Sequence, residues 1–582
     1  MFRVILPSLF LSLFLQSAPA AQVWQPIIDY TISFPGDRPD AAPIINPFEN
    51  FTHFASDFGW MGPGGARIDS RNGVIHVRPD GEWTGAWHSL AGLAADSSRT
   101  LDPTDLVGLQ APRERRTGIR ALSVNASGFG SLRLELADVN REIIWSNTLE
   151  LATQHTIASA LPIPSHLTKR IKFMNWIAEP GAELRISSIG FLAERPEMSP
   201  EEWAFRISLG KIRRCHDPDS GFTRDRGHLP AGVFDSIAST GYHALCSALG
   251  AAEGILDREA VSAEIERTIK AIRKLPKSHG FLPHFVSKGE SGRISIHPGT
   301  EFSTVDTAIS LQALLLATEI LGRTDLQEEV GGMIADLDFP GATDTDGWIT
   351  HGFLDDGHTM LAGRWRDWGG ETALVLALQA MTPGGKSAIP KMTNSGEVYR
   401  GVGFIAEIQS LLYPDFDKTD KDLISSISWP EARKALLADQ IAYFQQSAPE
   451  TSAAKQGVFG VSAGEAGMPG AGYTANGTEV IGVRWIHPHY MLMGLALSGG
   501  ELYHAGLERL DAIGMLYPLG LPENTEVDLR LHNPMQGSLN ASFETLAAYH
   551  GWRGRSTEKN LLDQASKKCS YTREAAAIFY AQ

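Results

Sequence analysis

The stretch Glu301-Phe-Ser-Thr-Val-Asp306-Thr-Ala-Ile-Ser-Leu-Gln-Ala-Leu-Leu-Leu-Ala-Thr-Glu-Ile-Leu321 decides how the longer part of this chain folds. Ser303 and Asp306 stand at capping-box spacing, and from Thr304 onward apolar residues recur as a helix requires. The same texture marks Ile237 to Leu256, Val261 to Leu275, Glu371 to Met381, Trp429 to Gln446 and Leu539 to Tyr549, with few strand-like runs between them. Roughly 385 residues of helix and loop would supply six helical hairpins, the size of an all-α (α/α)6 barrel. The periodicity alone suits a helical solenoid equally well.

Towards the N-terminus the helical texture stops at Glu194-Arg-Pro-Glu-Met-Ser-Pro200. This reads as a linker followed by a helix start with proline at its first position. Before it, Gly73-Val-Ile-His-Val-Arg78, Ser131-Leu-Arg-Leu-Glu-Leu136 and Glu183 to Leu192 alternate apolar and polar residues, the period of half-buried strands. Short runs of this kind predict a jelly-roll-like β-sandwich over 22–197, ahead of a helical domain over 198–582. Trp60, Trp83 and Trp87 lie in the β part, where they either stack on sugar rings or pack the sandwich; a purely structural domain is the alternative.

The 582 residues are too many for one ordinary core, and 43% hydrophobic with 20% charged residues is ordinary globular composition. A net charge of −16 without a lysine/arginine block disfavours a phosphate-tracking surface, so no nucleic acid is expected. Arg3, the apolar run Val4 to Leu15 and Ala18-Pro19-Ala20-Ala21 read as a cleaved secretory signal over 1–21, predicting a periplasmic or secreted protein without stable membrane insertion. Three cysteines (Cys215, Cys246, Cys569) are no disulfide framework, although one pair is possible.

Chemistry is signalled by acids at predicted helix starts in loops rich in Gly, Trp and His. Glycoside cleavage needs two carboxyl groups, one protonated and one ionised. The first cluster is Gly280-Phe-Leu-Pro-His284-Phe285 with Glu301 and Asp306; there Asp306 reads equally well as a plain helix cap. In the second, Arg364-Trp365-Arg-Asp-Trp368 leads to Gly369-Gly370-Glu371, where tryptophans would raise the pKa of a first-turn acid. The third gathers Glu407, Gln409, Tyr413, Trp485, His487, His489 and Glu544. His487 and His489 flank a proline, but no third ligand accompanies them, so neither metal nor cofactor is expected. The Gly-rich piece 464–472 lacks the lysine of a phosphate loop.

Read in order, these pieces resemble the glycoamylase-like domain of β-1,2-glucan hydrolases (glycoside hydrolase family 144 and relatives) and of cyclic β-1,2-glucan synthases. The similarity runs through Asp235-Ser-Ile-Ala-Ser-Thr-Gly-Tyr242, Gly280 to Phe285, Glu301-x-Ser-Thr-Val-Asp306-Thr-Ala, Glu371-Thr-Ala-Leu, Gly403 to Phe416 and Gln536-Gly537…Glu544. It implies an (α/α)6 barrel and inverting, endo-acting hydrolysis of a β-glucan, with β-1,2 linkage. It implies Glu371 as general acid, and Asp306 and Glu301 as groups that bind the reacting sugar or activate water. His284, Arg364, Trp365, Gln409, Trp485 and Glu544 are the expected saccharide-binding residues. Three departures stand out: Met535 replaces the Asp of the closing motif, Gly370 replaces the Asn before the Glu, and Pro283 replaces an aromatic. A transglycosylase or polysaccharide lyase on the same barrel, and a periplasmic glucan-binding protein without activity, are the alternative readings.

Overall fold

A computed structural model describes residues 24–31, 57–89 and 119–580, apart from short internal stretches that include 227–233, 390–401, 466–472, 479–483 and 534–536. The leader read at 1–21 and the Met535 position lie outside the described residues, as does the side chain of Trp60.

The N-terminal part is β: β1 (Trp24–Thr31), β2 (Asp57–Met61), β3 (Ala66–Arg71), β4 (Val74–Pro79), β5 (Thr84–Ser89), β6 (Ile119–Ala137), β7 (Ile143–Pro162), β8 (Phe173–Ala178) and β9 (Glu183–Glu194). Among the described residues the hydrogen bonding links these nine strands into one branched antiparallel network, in the order β2-β5-β8-β6-β9-β4-β3, with β1 on β9 and β7 on β6. The branch point is the long β6, which pairs with β9 in its first half and β8 in its second. Its register shifts between Ala126 and Gly128. Gly128 has φ 127°, and a Cβ there would lie 2.1 Å from the Glu183 carbonyl oxygen, so only glycine fits this bulge. Period two is kept on either side: Leu122 and Val124, then Leu132, Leu134 and Leu136, are buried around Trp176.

The remainder is helical and has a separate core. Its helices are α1 (Pro200–Arg214), α2 (Ile237–Ala252), α3 (Arg258–Arg273), α4 (Thr304–Leu321), α5 (Thr324–Ala335), α6 (Gly370–Met381), α7 (Ile408–Leu412), α8 (Trp429–Ser447), α9 (Ser452–Gln456), α10 (Pro488–Gly494), α11 (Leu502–Ala512), α12 (Ser538–Arg553), α13 (Leu561–Lys568) and α14 (Ser570–Ala576). Burial sorts them into two kinds. On α3, capped by Asp257, only Val261, Ile265, Thr268, Ile269 and Ile272 are buried, a single stripe. On α2, α4, α6 and α12 nearly every residue is buried, as inner helices require. Helix α4 is apolar and long enough to cross a membrane by composition, yet 83% of it is buried among its neighbours.

The inner helices follow one another in space: α2 packs on α4, α4 on α6, α6 on α7, α7 on α12, and α12 returns to α2 with α10 against it. Outer helices cover them, α1 against α12 and α2, α3 against α2, and α5 against α4. Between them lies a feature the sequence hid, a five-stranded antiparallel sheet of β10 (His216–Asp217), β11 (Phe222–Arg224), β12 (Phe234–Ser236), β13 (Phe285–Lys288) and β14 (Ile294–Ile296). All three cysteines are buried, and no disulfide joins them.

Candidate active site

Strand β12 runs directly into α2, where the Ser236 hydroxyl accepts from the Ser239 N–H at 3.3 Å. The loop carrying His284 is knitted between two helix starts. The His284 carbonyl accepts from the Ile237 N–H (3.1 Å), and its own N–H donates to the Glu301 carbonyl (2.9 Å). The Leu282 N–H donates to Thr307 Oγ1 on α4 at 2.9 Å. His284 is therefore placed by backbone geometry, independently of its side-chain partners.

Those partners are acids. His284 Nδ1 lies 2.8 Å from Glu301 Oε1, and its Nε2 lies 3.5 Å from Asp306 Oδ1. Burial disfavours the imidazolium, but Asp306, Glu301 and Asp225 outweigh it and push His284 up to about 9. The capping-box reading of Asp306 holds as well: Ser303 Oγ accepts from the Asp306 N–H at 3.2 Å and donates to Asp306 Oδ2 at 2.5 Å. Burial raises the Asp306 pKa against the pull of His284. The His284 hydrogen bond holds Glu301 below its ordinary value.

Glu371 occupies the first turn of α6 beyond Gly369, an N-cap without a side-chain bond. The Gly370 N–H donates to the Ile405 carbonyl at 2.6 Å, which ties this start to the segment before α7. A Cβ on Gly370 would come within 2.1 Å of Gln409 Oε1 and 2.3 Å of Ile408 Cγ2, so the chain approaches itself closely here. Glu371 is half-buried. Burial, reinforced by the charge of Asp306 and only partly offset by His284, pushes it up to about 7. A carboxyl group pushed towards neutrality thus shares a site with the His284–Glu301 ion pair.

A second acidic group joins this cleft, and the sequence reading missed it. Asp225, half-buried just after β11, lies within Coulombic reach of Arg226, His284, Glu523 and Asp306. Burial pushes it up to about 6, against the pull of Arg226 and His284. Arg226 pairs with buried Glu465 at 2.7 Å. Glu523 accepts from Asn540 Nδ2 at 2.6 Å and is also buried. Tyr473, 51% exposed, stands where the charges of Glu523, Asp225 and Glu371 all reach it. The only local hint was the charged run Arg224-Asp225-Arg226; Glu523 is brought to it from far along the chain.

The other expected site residues divide. Trp365 is half-buried, donates from Nε1 to Thr304 Oγ1 at 2.8 Å and lies against His351, fixing the start of α4. Arg364 spends its guanidinium on Asp344 (2.7 Å) and the carbonyl of Gly363 (3.0 Å), holding its own loop. Trp485 is half-buried on a short strand beside Arg484. Two others lie away from solvent. Gln409 is fully buried, with its Nε2 donating to the Ala406 carbonyl at 2.9 Å. Glu544 is fully buried in an ion pair with Lys211 at 2.6 Å, joining α12 to α1.

The histidines are structural as well. His487 Nε2 is 3.2 Å from the Glu465 carbonyl and His489 Nε2 is 3.1 Å from Ser462 Oγ, so they turn to different partners. Burial holds His487 down at about 4 and His489 well below the ordinary range. Among the described residues, His216, His243 and Glu264 come close enough to share an ion. However, the two imidazoles stack face to face at 3.9 Å and 6°, so their in-plane lone pairs do not converge, and Arg213 already pairs with Glu264 at 3.1 Å.

No family model matches the sequence, and no curated protein matches it. Solved structures do match the fold. A β-1,2-glucanase from Parabacteroides distasonis aligns over 90% of this chain and 97% of its own, with a TM-score of 0.57 at 10% identity. An endo-β-1,2-glucanase from Chitinophaga pinensis, in complex with sophorotriose and glucose, aligns over 66% of this chain and 99% of its own, with a TM-score of 0.55 at 14% identity. The fold is thus that of the glycoamylase-like β-1,2-glucanase group, as the ordered motifs implied.

Proposed function

We propose that this chain is an exported, endo-acting glycoside hydrolase that cleaves a β-glucan, β-1,2-linked, with inversion. The helical part is read as an (α/α)6 barrel whose inner helix starts surround the cleft. The reading rests on one observation above the others: half-buried Glu371, pushed up to about 7, shares its site with the His284–Glu301 ion pair and with Asp306. Glu371 is the general acid, donating its proton to the leaving glycosidic oxygen. The negative charge of Asp306 keeps that proton in place until the transition state draws it off. Glu301 and Asp306 present acceptors to the hydroxyls of the reacting sugar, with the His284 imidazolium fixing their positions. The likeness in fold to the β-1,2-glucanase structures supports this substrate class.

The test is a product screen with linear and cyclic β-1,2-glucans beside β-1,3-, β-1,4- and α-glucans, following product size and anomer. Internal cleavage of β-1,2-glucan with inverted, saturated reducing ends is expected, and Glu371→Gln should abolish it without loss of fold. Products absorbing in the ultraviolet would mean a lyase. Binding without new reducing ends would mean a glucan-binding protein, and near-normal turnover by Glu371→Gln would remove it from the acid role.

A further inference from the structure

We infer that Asp225 is the base that activates the attacking water, with Glu523 beside it as its positioning residue. This rests on the hydrolase reading above. The resemblance places an Asp where this chain has Met535, so that position offers no carboxyl group here. Glu301 and Asp306 are already engaged. Glu301 is bound by His284 at 2.8 Å, and Asp306 accepts from Ser303 at 2.5 Å while facing His284 at 3.5 Å. The His284 hydrogen bond makes Glu301 a poor proton acceptor, and Asp306 spends its two oxygens on Ser303 and His284.

Asp225 differs on both counts. Among the described residues no hydrogen bond ties down its carboxylate, and it is only half-buried. Its backbone is nevertheless fixed. The Asp225 N–H donates to the Phe234 carbonyl (3.1 Å), and its own carbonyl accepts from the Ser538 N–H (2.9 Å). Arg226 bridges to Gly537. Asp225 is thereby stitched to the start of α12, three residues from the position where the family aspartate is missing.

Glu523 approaches the same helix start. Its Oε2 is buried without a hydrogen-bond partner, and a Cβ on Gly537 would lie 2.6 Å from it. Being 1% exposed, it is sealed from water, whereas Asp225 is not. Its charge beside Asp225 favours proton uptake there, and the Arg226–Glu465 pair sets the opposite limit.

The step balances. A water oxygen bonds to the anomeric carbon while Asp225 takes one of its protons. The bond from the anomeric carbon to the glycosidic oxygen breaks, and Glu371 supplies the proton that the leaving oxygen needs. One water is consumed, and solvent exchange returns the proton from Asp225 to Glu371.

The test uses the full mature chain on β-1,2-glucan. Asp225→Asn should keep the fold and KM but lose kcat by ~10²–10⁴-fold. Azide, which needs no base, should restore turnover and yield a glucosyl azide of inverted anomeric configuration; Glu371→Gln should gain nothing from azide on the same glucan. Glu523→Gln should keep measurable kcat but move the acidic limb of the pH profile to lower pH, because the neighbouring charge is gone. Turnover of Asp225→Asn within a few-fold of wild type, or a loss that azide leaves untouched, overturns the assignment while the hydrolase reading stands. A wild-type chain that cleaves no β-glucan overturns both.

Discussion

At the scale of residues, inversion requires one carboxyl group to be ionised and another protonated at the same pH. Burial pushes Asp225 to about 6 and Glu371 to about 7, so both conditions are met together only in a narrow interval between them. Below it Asp225 takes up its proton and ceases to be a base; above it Glu371 loses its proton and ceases to be an acid. A bell-shaped profile of kcat/KM with limbs near these values is the expected result, its values belonging to the coupled site. Asp306→Asn removes the charge that raises Glu371, so the alkaline limb should move to lower pH; an unmoved or upward limb would separate Asp306 from the acid. Glu371 was legible because two glycines and two tryptophans lead into it on contiguous sequence. Asp225 was not, because a lone Arg-Asp-Arg run is normally a solvated surface, and the residues that bury it come from His284, Glu523 and the start of α12.

At the scale of elements, the longer apolar helices were found within a few residues, and most of those missed are short. Helix α4 was legible because Ser303, Asp306 and an unbroken apolar run agree. Strands β10 to β14 were invisible because two to four residues cannot display a period of two. They nevertheless position Asp225 and His284, so the part of the fold hardest to read carries much of the site. Glu544 shows the opposite error: a motif match is silent on burial, and its side chain serves the join between α12 and α1. The start of α6 gives a measurable case. Gly370→Asn restores the family residue, but its Cβ would strike Gln409 Oε1 and Ile408 Cγ2. The substitution should cost about 1–3 kcal/mol in denaturant unfolding, as overpacking does. Adding Gln409→Ala should recover part of that loss. A Gly370→Asn variant as stable as wild type would show that this helix start shifts freely.

At the scale of the molecule, the two textures read from the sequence correspond to two separate apolar cores, one around Trp176 and one around the inner helices. Where the chain changes from period two to helical spacing was visible because each period persists over many residues. The connection of all nine strands through β6 was not, since pairing partners leave no mark on a single strand. Separate cores need not unfold together. Full-length protein should therefore show two calorimetric transitions. Trp176→Ala empties the centre of the β core and should cost that transition ~3–5 kcal/mol. The helical transition should stay where it was, and glucan turnover at 25 °C should be unchanged. If both transitions fall together, the cores are energetically coupled and the β part supports the cleft; if only the first falls, the catalytic machinery is self-sufficient from α1 onward.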